Sequence, residues 1–168
     1  MSPKEGAPPT DWLDAPTQAL LHNGVLVWLA TAGTDGQANV SPKEVFACVD
    51  AQHLVIANIA SPQSARHIEV NPNVCVSCVD VFTQKGVKLL GTARHLPAED
   101  EAFAPWAAPL LPILGTRFKL RGVFVVQVTG RQAIVAPSYW AHPGDTTEAS
   151  QRAAAMQRYG VKPLGAEP

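Results

Sequence analysis

The run Ser61-Pro62-Gln63-Ser64-Ala65-Arg66 gathers two hydroxyls and a guanidinium at what reads as the start of a helix. The first N–H groups of a helix have no partner within it, and they carry partial positive charge, so such a start suits a phosphate. An arginine nearby adds charge-assisted hydrogen bonds. Lys43, just after Pro42, reaches the same place if the second and third expected strands are neighbours. The plain alternative is that Ser61 only caps the helix and Arg66 faces water. A second candidate is Gln84-Lys85-Gly86, set between two expected strands. A glutamine amide both donates and accepts, so it can read the edge of a flat heterocycle. The alternative there is an ordinary polar bend.

Other chemistry finds less support. Cys75 and Cys78 form a C-x-x-C, but the stretch reads as a strand, where residues three apart point to opposite faces. They are expected to be small buried residues and not a metal or redox pair. The five histidines lack zinc spacing, so no metal is expected. Ser41 and Ser138 lack a nucleophile-elbow setting, and neither the Rossmann nor the P-loop fingerprint occurs. Trp28 and Trp106 read as core or interface residues.

The elements that must hold these residues follow from pattern. Asp14 can cap a helix running to about Asn23, with Gly24 as its stop. The apolar run from Val25 to Ala32 predicts a central buried strand. Asp35-Gly36 is a hairpin signal. The next strand passes through Asn39 and Ser41, and Pro42 marks it as an edge or bulge. His53 to Asn58 is a third strand. Ser61-Pro62 opens a helix that Asn71-Pro72 closes. Val74 to Phe82 and Val87 to Leu96 are strands. An acidic-headed helix is expected from Pro97 to about Pro112, then a long strand from Arg121 to Ala136. A last helix starts at Thr146 or Thr147 and ends at Tyr159, before Gly160. Strands joined by short links, with small helices at the margins, predict an antiparallel barrel or sandwich.

The chain has 168 residues, which fits a single domain at 12–168 after a loose Pro- and Gly-rich arm at 1–11. Charged residues make up only 16%, which leans toward surface hidden in an oligomer. The formal net charge of -1 and the lack of a basic run argue against a nucleic-acid partner. No apolar stretch approaches a membrane span, and the start lacks the apolar core of a secretion signal, so a cytoplasmic location is expected.

From Val25 to Ala93 the sequence resembles the pyridoxamine 5'-phosphate oxidase-like FMN-binding family. The matching pieces stand in order: Leu29-Ala30-Thr31-Ala32 with Asp35-Gly36; Asn39-Val40-Ser41-Pro42-Lys43; Ala57 through Arg66 with Asn71-Pro72; and Gln84-Lys85-Gly86 before Lys88 and Gly91. The resemblance implies a six-stranded antiparallel split β-barrel of Greek-key type, mainly β with flanking helices. It implies a homodimer with FMN at the subunit interface. Lys43, Ser61, Ser64 and Arg66 would hold the phosphate. Ser41 and Pro42 would lie along the ribityl chain or ring. Ala57, Asn58 and Ile59 would border the isoalloxazine, with backbone groups reading its polar edge. Gln84 and Lys85 would approach the flavin, across the dimer if not within one chain. The function implied is that of a flavin oxidoreductase with a small-molecule substrate or a nicotinamide donor, and no catalytic side chain is assigned. The alternatives are an FMN carrier or sensor without turnover, or a haem- or deazaflavin-binding relative on the same fold, with His67 and His142 as the histidines that could serve haem. The vitamin-forming oxidases carry an Arg-Lys pair where this chain has Gln63-Ser64. They also end in an Arg- and Trp-containing segment where this one ends in Tyr159-Gly160-Val161. The resemblance therefore does not extend to making pyridoxal phosphate.

Overall fold

The structure is a computed structural model that describes residues 11–116 and 118–164. The expected arm at 1–11 lies outside the described residues except for Asp11. Seven strands form one antiparallel sheet: β1 (Val27–Ala32), β2 (Ala38–Lys43), β3 (Phe46–Cys48), β4 (His53–Asn58), β5 (Asn73–Asp80), β6 (Lys85–Pro97) and β7 (Gly122–Val135), in the order β2-β1-β5-β6-β7-β4-β3. The two outermost strands, β2 and β3, are consecutive and separated only by Glu44 and Val45. That link spans at most about 11 Å, so the sheet must curl until its edges nearly meet. β2 and β3 act as one bent strand, and the seven segments make the six walls of the expected split barrel. Pro42 sits on the outer edge of the ladder, as its missing N–H requires.

Alternation fixes what faces inward. Leu29, Leu54, Ile56, Val76, Leu89, Phe124 and Val126 are fully buried and form the barrel core. A second apolar cluster lies outside the barrel wall. Val55, Val123 and Val125 point to it, and helix α3 (Phe103–Ala107) and the turn after it cover it. This is why β4 and β7 read as continuous apolar runs: both of their faces are packed. The strand β1 differs from expectation. It starts at Val27, and Val25 is exposed; only alternate residues are buried, and Trp28 is 44% exposed. The expected acidic helix also differs. Glu99 to Glu101 form a turn, where Asp100 accepts from the Ala102 amide, and the helical stretch begins only at Phe103. Pro105, Pro109 and Pro112 chop it into short pieces. No helix among the described residues is long and apolar enough to cross a membrane.

Helix α1 (Ala15–Asn23) is capped by Asp14, which accepts from the Thr17 amide at 3.0 Å. Helix α2 (Pro62–Val70) joins β4 to β5. Those strands are separated by β6 and β7, so α2 must cross the barrel mouth, where Ala65 and Ile68 plug the core. After α3 come α4 (Leu111–Leu114) and α5 (Ser138–Ala141), then α6 (Glu148–Tyr159), which has a Thr147/Ser150 capping box and a left-handed Gly160 as its stop. Its side chains latch onto the β5–β6 hairpin: Lys85 donates to Glu148 at 2.7 Å, and Arg152 pairs with Asp80 at 3.5 Å.

Leu29→Ala should remove about 2–5 kcal/mol of stability through the cavity it leaves at a fully buried wall position. Urea denaturation followed by tryptophan fluorescence reads the loss.

Candidate functional site

The site is built where β2 passes the start of α2. Strand alternation turns Asn39, Ser41 and Lys43 to the inner face, away from exposed Val40 and Pro42. Pro62 fixes the first helical residue and brings Ser61 and Ser64 onto the same three side chains. Lys43 Nζ donates to Ser61 Oγ at 2.6 Å and to Ser41 Oγ at 2.7 Å. Ser41 Oγ and Ser64 Oγ share a bond of 3.2 Å. Asn39 Nδ2 donates to Ser64 Oγ at 3.2 Å and to Thr31 Oγ1 at 3.0 Å, and Thr31 in turn meets His67 Nδ1 at 3.2 Å.

Ser61 is thus not a capping serine. Its side chain makes no cap bond, because Lys43 claims the hydroxyl. The Ser61 amide instead donates to Asn58 Oδ1 at 3.0 Å, and Asn58 Nδ2 meets His95 Nε2 at 3.0 Å. The Gln63 and Ser64 amides are left at the helix start without a side-chain cap.

Lys43 is only 7% exposed, and its hydrogen-bond partners are hydroxyls, with no carboxylate paired to it among the described residues. Burial therefore pushes its pKa below the ordinary lysine value of 10.5. The proton inventory shows what is missing. An ammonium has three N–H groups, and two are used. Each serine has one O–H to give. Ser41 and Ser64 use one between them. One N–H from Lys43, the O–H of Ser61 and one O–H from the Ser41–Ser64 pair remain, along with the two helix amides. The corner is a set of donors around a positive charge. Its complement is an anion made of acceptors.

The other expected site residues fall in different places. Arg66 is exposed, lies about 200° round the helix from Ser64, and makes no hydrogen bond or ion pair with the described residues. It can serve the corner only from the rim. Ala57 and Asn58 are buried, and their backbone is engaged: Ala57 N donates to Val45 O at 2.9 Å, and Arg121 N donates to Asn58 O at 3.0 Å. β4 runs between β3 and β7, so these two groups already have backbone partners within the chain. Ile59 packs on the outer apolar cluster. Gln84 ends the hairpin turn with a positive φ of 55°, and its amide donates to Asp80 O. Lys85 is held by Glu148 and lies 4.5 Å over the Tyr139 ring. Within one chain, no hydrogen bond or ion pair among the described residues links Gln84 or Lys85 to the Lys43 corner. Asn39, Thr31 and the Asn58–His95 pair complete the network; Asn58 was expected as a site residue, and Asn39, Thr31 and His95 were not. The signal for Asn39 was its i, i+2, i+4 spacing with Ser41 and Lys43.

The model of the pyridoxamine 5'-phosphate oxidase family matches residues 13–135. This chain belongs to that family. The match covers the barrel, α2 and the whole corner, and it stops before α5 and α6. No curated protein matches the chain. Among solved structures, the fold is shared with a candidate pyridoxamine 5'-phosphate oxidase from Lactobacillus delbrueckii, at 24% identity and a TM-score of 0.62, covering 73% of this chain and 95% of that one. An FMN-binding protein from Syntrophomonas wolfei superposes at 13% identity and a TM-score of 0.59, over 70% and 82% of the two chains. HutZ, the haem storage protein from Vibrio cholerae, does so at 18% and 0.57, over 73% and 94%. At these identities the likeness shows the split-barrel fold that the family shares.

The sign of the Lys43 shift gives a test. Its folded pKa lies below its unfolded one, so the lysine destabilises the folded chain at neutral pH. That penalty is relieved as pH rises through the folded pKa toward 10.5. Lys43→Met should stabilise the ligand-free protein at neutral pH and abolish this alkaline gain. Urea midpoints for both proteins, compared from neutral to alkaline pH, read the difference.

Proposed function

We propose that this chain is an FMN-binding member of the family and works as a flavin oxidoreductase distinct from the enzymes that make pyridoxal phosphate. The observation that carries the reading is the donor-rich corner around buried Lys43. A phosphate monoester offers acceptor oxygens and negative charge, and it supplies the counter-ion that the lysine lacks among the described residues. Lys43, Ser61 and Ser64 would hold it with the first amides of α2, and Arg66 would add charge from the rim. Ser41 sets the hydroxyl chain that keeps the donors aimed. FMN, when bound, would supply the redox chemistry. The protein's part is to bind and orient it. The lining of Asn39, Ser41 and Lys43 keeps the corner polar, and the packed strands below it keep water from the core.

A second copy of the chain is proposed as the partner, with FMN at the interface between subunits. Val40 and Pro42 of β2, Trp28 of β1, Val79 of β5 and Leu90 of β6 are exposed on the outer face of four adjacent strands. An apolar stripe of this kind on a sheet face favours burial against another surface. The low charge content of the chain agrees with that.

Purified protein should quench the fluorescence of added FMN and bind riboflavin far more weakly, since riboflavin lacks the phosphate. Lys43→Met should weaken FMN binding roughly ten- to a hundredfold, the loss expected for one charge-assisted contact, and leave riboflavin binding unchanged. Arg66→Ala should cost less. Equal affinity for both flavins would discard the corner as a phosphate site. Bleaching of the bound flavin by NADH or NADPH would support turnover, and tight FMN with no reduction would identify a carrier.

A further inference from the structure

We infer that Asn58 and His95 are positioning residues for the α2 corner, and that protonation of His95 releases Ser61 and loosens the site. This rests on the reading of that corner as an FMN phosphate site. The geometry is a diagonal bridge across β7. Asn58 lies opposite Gly122 in the ladder, and His95 lies opposite Phe124, one inward-facing position along. Two side chains on the strands flanking β7 meet only because residue 122 has no side chain: a Cβ there would stand 2.7 Å from His95 Nε2.

The hydrogen-bond directions follow from one fixed donor. The Ser61 amide can only donate, so the Asn58 oxygen faces it and the Asn58 NH₂ faces His95. His95 Nε2 must therefore accept, and the ring carries its proton on Nδ1, which lies 4.0 Å from Glu69 Oε1. A second proton on His95 would set Nε2–H against the Asn58 NH₂. If the amide flipped to accept from the ring, its NH₂ would face the Ser61 amide. Either arrangement opposes two donors, so the link to Ser61 is lost in both. Ser61 is the residue whose hydroxyl accepts from Lys43, so the disturbance reaches the donor cluster in one step.

The charged surroundings of His95 are simple among the described residues. Glu69 of α2 faces it and favours the protonated ring. β7 brings Phe124 and Gly122, and β4 brings neutral Asn58. Arg94, next in β6, stacks on Trp106 on the other face. Burial outweighs Glu69 and lowers the His95 pKa from its ordinary value, so the neutral, accepting ring prevails at neutral pH and the release falls on the acid side.

The test compares wild type with His95→Gln, whose side-chain oxygen can still accept from Asn58 but cannot titrate. The Ser61 amide is followed by NMR in the ligand-free protein from about pH 7.5 to about pH 5, and FMN affinity is measured over the same range. The wild-type Ser61 amide should shift with the His95 ring, and the variant's should not. Wild-type FMN affinity should fall roughly three- to tenfold more than the variant's, the size of one lost hydrogen bond. Protonation of the FMN phosphate itself affects both proteins alike. Parallel affinity profiles, or a Ser61 amide indifferent to His95, would overturn the inference. So would a neutral ring protonated on Nε2, read from its nitrogen shifts in wild type without any variant. If FMN fails to bind at any pH while the Ser61 amide still follows His95, the bracket stands and the FMN reading falls.

Discussion

The ammonium of Lys43, held among serine hydroxyls with no carboxylate partner among the described residues, is the interaction on which the rest of this molecule turns. A buried cation is expensive unless something compensates it. Two hydroxyl contacts use two of its three N–H groups and leave its charge. The neighbouring groups are aligned by that charge: Ser41 and Ser61 turn their lone pairs to it, which leaves their protons for other acceptors. The corner is thus polarised before any ligand arrives.

The barrel exists in a form that makes this corner possible. Two linking residues force the sheet to close, so β2 at one end of the sheet comes round to β3 at the other, and α2 must cross the mouth to reach β5. That crossing sets a helix start against the inner face of β2. The core beneath is apolar and tightly packed, and it holds the hydroxyls at fixed spacing. Each buried side-chain nitrogen or oxygen among the described residues has at least one partner.

Much of this was legible in the sequence. The strand at 53–58, the helix opened by Pro62 and closed before Pro72, and the last helix with its cap and glycine stop all carry strong local signals, and each formed where those signals put it. Ser61, Ser64 and Lys43 were recognisable because helix starts and strand alternation are local rules. The bracket of Asn58 and His95 was not, because the two residues stand 37 apart in sequence and meet across a third strand. The helix expected near residue 100 failed on its prolines, whose effect outweighed the acidic head. The continuous apolar run at 25–32 overstated burial because apolar residues on a sheet face can await a partner as readily as a core. Nothing in residue type reveals that a glutamate 63 residues later pairs with Lys85.

The α6 side of the latch on the β5–β6 hairpin lies past the stretch that the family model covers, and the latch shares no hydrogen bond or ion pair with the Lys43 corner among the described residues. Changes at the two places should then combine additively, as remote and unconnected substitutions do. Such a layout leaves the hairpin tip and its C-terminal appendage open to change without a direct disturbance of the polar corner at the far strand.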